Sequence, residues 1–237
     1  MKKNRAGRSL CTLGLVGILT MGSSLPAWAG WIANGDQSWG YQKEDGSFII
    51  DGFSPDGYYL NGEGRWYEKV DVLGVEIAGQ NIFLESQSMS FSDWKPALEK
   101  FADRITEEMG NRRGFSISEE ELVCYMTGSG KNTKRLLLHR DTESKGYRLE
   151  VSCPLRKEKG YPVSAAWYDY QTLRFFLLSV SRCGDKLADA VYQSWEGDNV
   201  YGLKIGQWVR VGDCRMRYSP GNGTGIYEII PVPATEL

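Results

Sequence analysis

An α+β fold, an antiparallel sheet with segregated helices preceded by a small β-hairpin segment, is what this 237-residue sequence predicts. Three observations carry that prediction. Residues 30–70 hold aromatic runs punctuated by glycine turns and show no helical period. Beyond them, Trp94, Leu98, Phe101, Ile105 and Met109 recur at the spacing of one helix face. Short β-rich runs joined by brief polar turns follow, the signature of hairpins.

The elements follow in chain order. Lys2, Lys3, Arg5 and Arg8 precede an apolar stretch from Leu10 to Met21, and Ala27-Trp28-Ala29 supplies small residues at a cleavage site. Residues 1–29 therefore read as a secretory signal, with the mature chain expected to start at Gly30. The apolar run is too short to span a bilayer once Pro26 interrupts it. In residues 30–70, turns are expected at Asn34-Gly35, Asp45-Gly46, Asp56-Gly57 and Asn61-Gly62, because Gly, and less readily Asn and Asp, accept positive φ.

Residues 71–237 read as one α+β domain of unknown role. Ser92 or Asp93 is expected to cap the first helix, with Pro96 in its first turn and Gly110 at its end. Strands are expected at Glu121–Thr127, Lys134–Arg140 and Tyr147–Cys153. A helical pair comes next: Asp169 is read as a cap for Leu173, Phe176, Leu177 and Val180. Gly184-Asp185 then breaks and recaps before Leu187, Val191 and Trp195. Three more strands, Gln207–Val211, Cys214–Tyr218 and Ile226–Val232, close the chain. Segregated helices and strands give an α+β layout.

The hairpin segment shows an internal similarity. Trp39-Gly40-Tyr41 leads to the Asp45-Gly46 turn and Phe48; Tyr58-Tyr59-Leu60 leads to Gly62-Glu63-Gly64 and then Trp66-Tyr67. Gly46 and Gly64 stand 18 positions apart, close to the ~20-residue lower end of common repeat periods. With Gly30-Trp31 and Gly35, this stretch resembles the wall-binding, or choline-binding, repeats of Gram-positive surface proteins. It departs from them at Gly40, where an aromatic is usual, and in its small number of copies. The resemblance covers about 40 of the 237 residues. It implies that Trp31, Trp39 and Tyr41, with Tyr59 or Trp66 from the following hairpin, surround the choline of a teichoic acid. The chemistry is apt, since a quaternary ammonium cannot donate hydrogen bonds and is held by the negative faces of aromatic rings. The same rings could instead stack only to hold thin hairpins together.

Charge and composition exclude other classes. The signal carries four of the 28 Lys and Arg and none of the 30 Asp and Glu, which leaves −6 on the remainder. An acidic chain without a basic block is a poor partner for nucleic acid or for an anionic membrane surface. No second long apolar segment follows the signal, so no integral membrane segment is expected after cleavage.

Cys124, Cys153, Cys183 and Cys214 remain after residue 29, an even number that permits two disulfides in an exported chain; four buried thiols are the alternative. No CxxC motif is present, against zinc and thioredoxin chemistry. Residues 128–133, Gly-Ser-Gly-Lys-Asn-Thr, fail the spacing of a phosphate loop and read as a hairpin turn. His139 is the single histidine; it cannot build a multi-histidine metal site, and no G-x-S-x-G accompanies it. The carboxylates Glu107-Glu108, Glu119-Glu120-Glu121, Asp169 and Asp185 read as solvated surface rather than a glycosidase pair. No catalytic residue, metal site or cofactor is nominated.

Two functional readings result. In the first, the protein is secreted or wall-associated, non-catalytic, and binds choline-bearing wall polymer through its aromatic hairpins. In the second, it is a secreted hydrolase of wall glycan or peptide, with the hairpins as targeting module.

Overall fold

A computed structural model describes residues 29–67, 69–78, 91–110, 112–127, 132–142, 145–160, 164–181, 183–197 and 201–232. All of the segment read as a secretion signal but Ala29, and most of the turn read at 128–133, lie outside these residues.

The α+β reading holds. Seven antiparallel strands form the main sheet: β8 (Arg113–Ile117), β9 (Glu121–Met126), β10 (Thr133–Asp141), β11 (Gly146–Val151), β12 (Trp208–Val211), β13 (Cys214–Pro220) and β14 (Gly225–Pro231). Their spatial order is β12-β13-β14-β11-β10-β9-β8. Among the described residues three α-helices, α1 (Lys95–Met109), α2 (Ser164–Leu178) and α3 (Gly184–Glu196), supply the other half of the core. Strand alternation explains which side chains they meet. Leu136, Leu138, Leu149 and Val151 are fully buried, whereas Arg148 and Glu150, one step out of phase, pair with each other at the outer face.

Phe101 joins the layers. It stacks on Phe175 of α2 at 4.5 Å and meets Phe115 of β8 edge-on at 5.9 Å. Leu98 and Ile105, on the same helix face, are also buried, as their spacing predicts. The turn between α2 and α3 needs glycine, since a Cβ at Gly184 would stand 2.6 Å from the Leu178 backbone.

The expected strands are found within two residues at each end. Two helix starts differ from the sequence reading. Phe91–Trp94 form a 3₁₀ turn, and α1 proper begins at Lys95, so the helix enters through that turn and Pro96 with no side-chain cap. Asp169 is not a cap: α2 begins five residues earlier, at Ser164, and Asp169 lies inside it, fully buried. Its carboxylate takes Nε of Arg135 at 2.9 Å and 3.0 Å and Nη2 of Arg113 at 3.2 Å. Two guanidinium groups from neighbouring parts of the sheet thus stabilise a charge that could not otherwise be buried.

The N-terminal hairpins form small sheets. β1 (Gly30–Ala33), β2 (Ser38–Gln42) and β5 (Trp66–Tyr67) make one; β3 (Gly52–Phe53) and β4 (Tyr59–Leu60) make a second. β6 (Lys69–Val72) and β7 (Val75–Ala78) make a third, whose Val72, Val75 and Ile77 enter the main core. The boundary drawn at residues 70 and 71 falls inside β6.

Candidate functional site: an aromatic box

Four turns of one design build the hairpin segment. The amides of Asn34, Lys43, Ser54 and Asn61 each donate to the carbonyl four residues on, at 2.7–2.9 Å. Each turn is tightened by a short polar side chain, as where Asp36 accepts from Ser38 N and Asp45 from Ser47 N. The turns at Lys43 and Asn61 are 18 positions apart, and in both a glycine at positive φ, Gly46 or Gly64, donates back to the first carbonyl. The internal similarity in sequence is therefore a similarity in backbone.

Register then decides which rings meet. Trp31 pairs with Tyr41, Ala33 with Trp39, and Trp39 with Trp66. Side chains at paired and alternate positions share a face, so Trp31, Trp39, Tyr41 and Trp66 lie on one side of this sheet. Ala33 keeps that face open beside Trp39. Tyr58, from the third turn, closes the opposite wall. The result is a hollow of 240 Å³ lined by Trp31, Trp39, Asp56, Tyr58 and Trp66. Trp31 meets Tyr58 at 5.4 Å and Trp66 at 5.7 Å, and Tyr58 meets Trp66 at 5.1 Å, spacings typical of edge-to-face rings. Trp39 stays 38% exposed, which leaves much of its ring open to solvent. The indole Nε1 of Trp66 is buried without an acceptor, so contact of its ring, not its N–H, holds this side chain in place.

Of the five nominated rings, Trp31, Trp39 and Trp66 line the hollow. Tyr41 packs edge-on against Trp31 from outside it, at 5.3 Å. Tyr59 lies elsewhere: next to Tyr58 on an extended strand, it points the other way, is 5% exposed, and hydrogen-bonds to Asp51. Gly40, where an aromatic is usual in the resembled repeats, has its side-chain space filled by the Phe48 ring, 3.4 Å from an added Cβ. The sequence reading missed Tyr58 and Asp56 as lining groups. The alternation of Tyr58 and Tyr59 was the available signal, and Asp56 belongs to the same turn as Tyr58.

A second, larger cleft of 980 Å³ separates the hairpins from α3. Its walls include Asp51, Tyr59, Glu63, Arg65, Asp185, Lys186, Asp189 and Tyr201. Carboxylates from distant segments converge there, but each inner one is held by a cation: Asp51 by Lys186 at 2.5 Å, Asp185 by Arg174 at 2.7 Å and Asp189 by Lys157 at 2.9 Å. Burial alone would raise the Asp51 carboxyl, yet the bonds from Lys186 and Tyr59 outweigh it and hold the group below its ordinary range. Such pairing favours the ionised form, the opposite of what a general acid requires.

The four cysteines are buried and no disulfide joins them. Cys124 and Cys153 lie near the Asp169 cluster. Burial, then the charge of Asp169, pushes the Cys124 thiol up to about 12 and moves Cys153 in the same direction. Cys183 precedes α3 at the floor of the large cleft. Burial, followed by Asp213, raises Cys214. His139 is 37% exposed at its side chain, with Nδ1 3.4 Å from Glu121. Among the described residues no cluster of His, Cys, Asp and Glu could hold a metal, and no helix is long and apolar enough to cross a membrane. Compared with known protein families, curated proteins and solved structures, the chain matches none.

Proposed function

We propose that this is an exported, wall-associated binding protein whose aromatic box takes the trimethylammonium group of choline carried by a wall polymer. The observation that carries the reading is the convergence of Trp31, Trp39, Tyr58 and Trp66 around one small open hollow. Their ring faces and edges offer a quaternary ammonium what it can use, namely negative π density and apolar contact, and ask for no hydrogen bond. Exposed cation–π contacts are worth about 0.5–1 kcal/mol each and desolvated ones about 2. One box therefore gives affinity near the millimolar range, about −4 kcal/mol. Firm attachment would need several boxes on one polymer, so this chain is a weak or transient wall binder.

Choline titration of the protein lacking residues 1–29, followed by tryptophan fluorescence and by NMR of the hairpin indoles, tests the reading. Saturable shifts at millimolar choline are expected, and Trp39→Ala should abolish them without unfolding the main domain. Indole signals untouched at high millimolar choline would sink it.

The large cleft favours a second reading, a secreted hydrolase of wall glycan or peptide with the hairpins as targeting module. It comes second because Asp51, Asp185 and Asp189 are each committed to a cation.

A further inference from the structure

The aromatic box contains one charged side chain, and its situation differs from that of the carboxylates in the neighbouring cleft. Asp56 Oδ2 accepts from Trp31 Nε1 at 2.9 Å, and Oδ1 accepts from Ser54 Oγ at 2.5 Å. Both bonds are to neutral donors. Asp36, Asp51, Asp185 and Asp189 each meet a Lys or Arg. Among the described residues Asp56 has no such partner, and no Lys or Arg lines the hollow. A carboxylate thus stands in the wall of an aromatic box with no Lys or Arg partner among the described residues.

We infer that Asp56 is a specificity-determining residue of the box: its charge strengthens the site's selection of a cationic ligand over a neutral one of the same shape. The inference rests on the choline-box reading and adds to it. Ring faces attract a cation through their quadrupole and any apolar group of the right size through contact and desolvation. A carboxylate adds a further, salt-dependent term that only a cation collects. The two bonds fix where that charge lies. The bond from Trp31 also holds the indole edge, so the residue that supplies the charge orients one wall of the box. Asp56 is exposed, and its effect is therefore partly screened and dependent on salt. For unit charges about 5 Å apart in a water-like dielectric, the expected discrimination is about fourfold.

The test compares choline with its neutral isostere, 3,3-dimethylbutan-1-ol, on the wild type and on Asp56→Asn. The asparagine keeps an oxygen that can accept from Trp31 Nε1 and removes the charge. Titrations followed by indole NMR at low and high salt give four affinities per protein. The wild type should bind choline more tightly than the isostere, by a margin that shrinks as salt rises. Asp56→Asn should lose about fourfold for choline, lose nothing for the isostere, and show no salt dependence of the difference. Dispersion of the hairpin amide signals checks that the box persists in the variant, and Asp56→Glu, which restores the charge, should recover part of the preference. If the wild type binds choline and Asp56→Asn binds it equally well at every salt concentration, the role of Asp56 is overturned while the box reading stands. If the wild type binds choline no better than the isostere, Asp56 confers no charge selection. If it binds neither, the box reading fails, and this inference with it.

Discussion

Replacing Asp169 with Asn should destabilise the protein more than any other single change outside the apolar core. The Asp169 side chain is 0% exposed, Arg113 3% and Arg135 11%. One buried carboxylate therefore stands between two guanidinium groups, that of Arg113 buried and that of Arg135 nearly so. The amide in Asp169→Asn fills the same space and can still accept a hydrogen bond, but it leaves two like charges facing each other in the interior. Removing one partner of a buried ion pair costs about 3–5 kcal/mol, because the remaining charge has lost its solvent and gained nothing. Against a total stability of about 5–15 kcal/mol, that is a large fraction. With a urea dependence of about 2 kcal/mol per molar, the denaturation midpoint should fall by roughly 1.5–2.5 M. A triple variant, Arg113→Met, Arg135→Met and Asp169→Leu, removes all three charges together and should lie closer to the wild type than the single variant does. A single-variant midpoint within about 0.3 M of wild type would refute the electrostatic argument. A triple variant as weak as the single one would show that geometry rather than unpaired charge is at stake.

Other measurements probe separate parts of the structure. Gly114 lies opposite Tyr125 in the β8–β9 ladder, and an added Cβ would stand 2.2 Å from that ring. Gly114→Ala should therefore cost about 1–3 kcal/mol through overpacking, and Tyr125→Ala in the same chain should offset the clash, read as non-additive urea midpoints. The Asp51–Lys186 tether should show a defined pH dependence. The carboxyl is held below its ordinary range in the folded protein, so its contribution is complete above the ordinary value and is lost as pH falls through the lower folded one. Protection factors of the hairpin amides, corrected for the intrinsic pH dependence of exchange, should fall at acid pH in the wild type and already be low at neutral pH in Asp51→Asn; identical profiles would dismiss the tether. Finally, thiol titration should find the native cysteines unreactive and four reactive after unfolding without reductant. A count of zero in secreted material would show that export oxidises them into disulfides.

The sheet was legible because its runs are long and bounded by glycine turns. Glu121–Met126 and Cys214–Pro220 begin at the expected residue and end within two residues of the expected Thr127 and Tyr218. β8 was not legible. Arg113-Gly114-Phe115-Ser116-Ile117 has a glycine and a buried arginine on an otherwise ordinary strand, and both make sense only beside Tyr125 and Asp169. Asp169 itself was misread for the same reason. An aspartate ahead of an apolar helical run has the local look of a cap, and only the two arginines, 56 and 34 positions away, show it to be a buried counter-ion. In the box, period-2 alternation could have separated Tyr58 from Tyr59. The resemblance to wall-binding repeats led instead to Tyr59, because a family pattern fixes positions along the chain and not the face to which each side chain turns.

That alternation also ties the box to the rest of the molecule. The hairpin of β3 and β4, from Gly52 to Leu60, presents Asp56 and Tyr58 to the box, and Tyr59, with the adjoining Asp51, to α3. Lys186 of α3 grips Asp51 at 2.5 Å and lies over the Tyr59 ring at 5.8 Å. A segment of about 40 residues is too small to bury a core of its own, and repeat units draw their stability from their neighbours. Here that neighbour is a helix of the α+β domain. The wall that positions Tyr58 in the box is thus one strand away from the contact that holds the hairpin to the domain. If the box binds choline as proposed, loosening the Asp51–Lys186 contact should weaken that binding without altering any ring, through disorder of Tyr58, whereas Asp56→Asn should weaken it with Tyr58 still in place. The two losses differ in a measurable way: the first broadens the hairpin NMR signals and keeps the salt dependence of the choline preference, and the second leaves the signals sharp and removes that dependence.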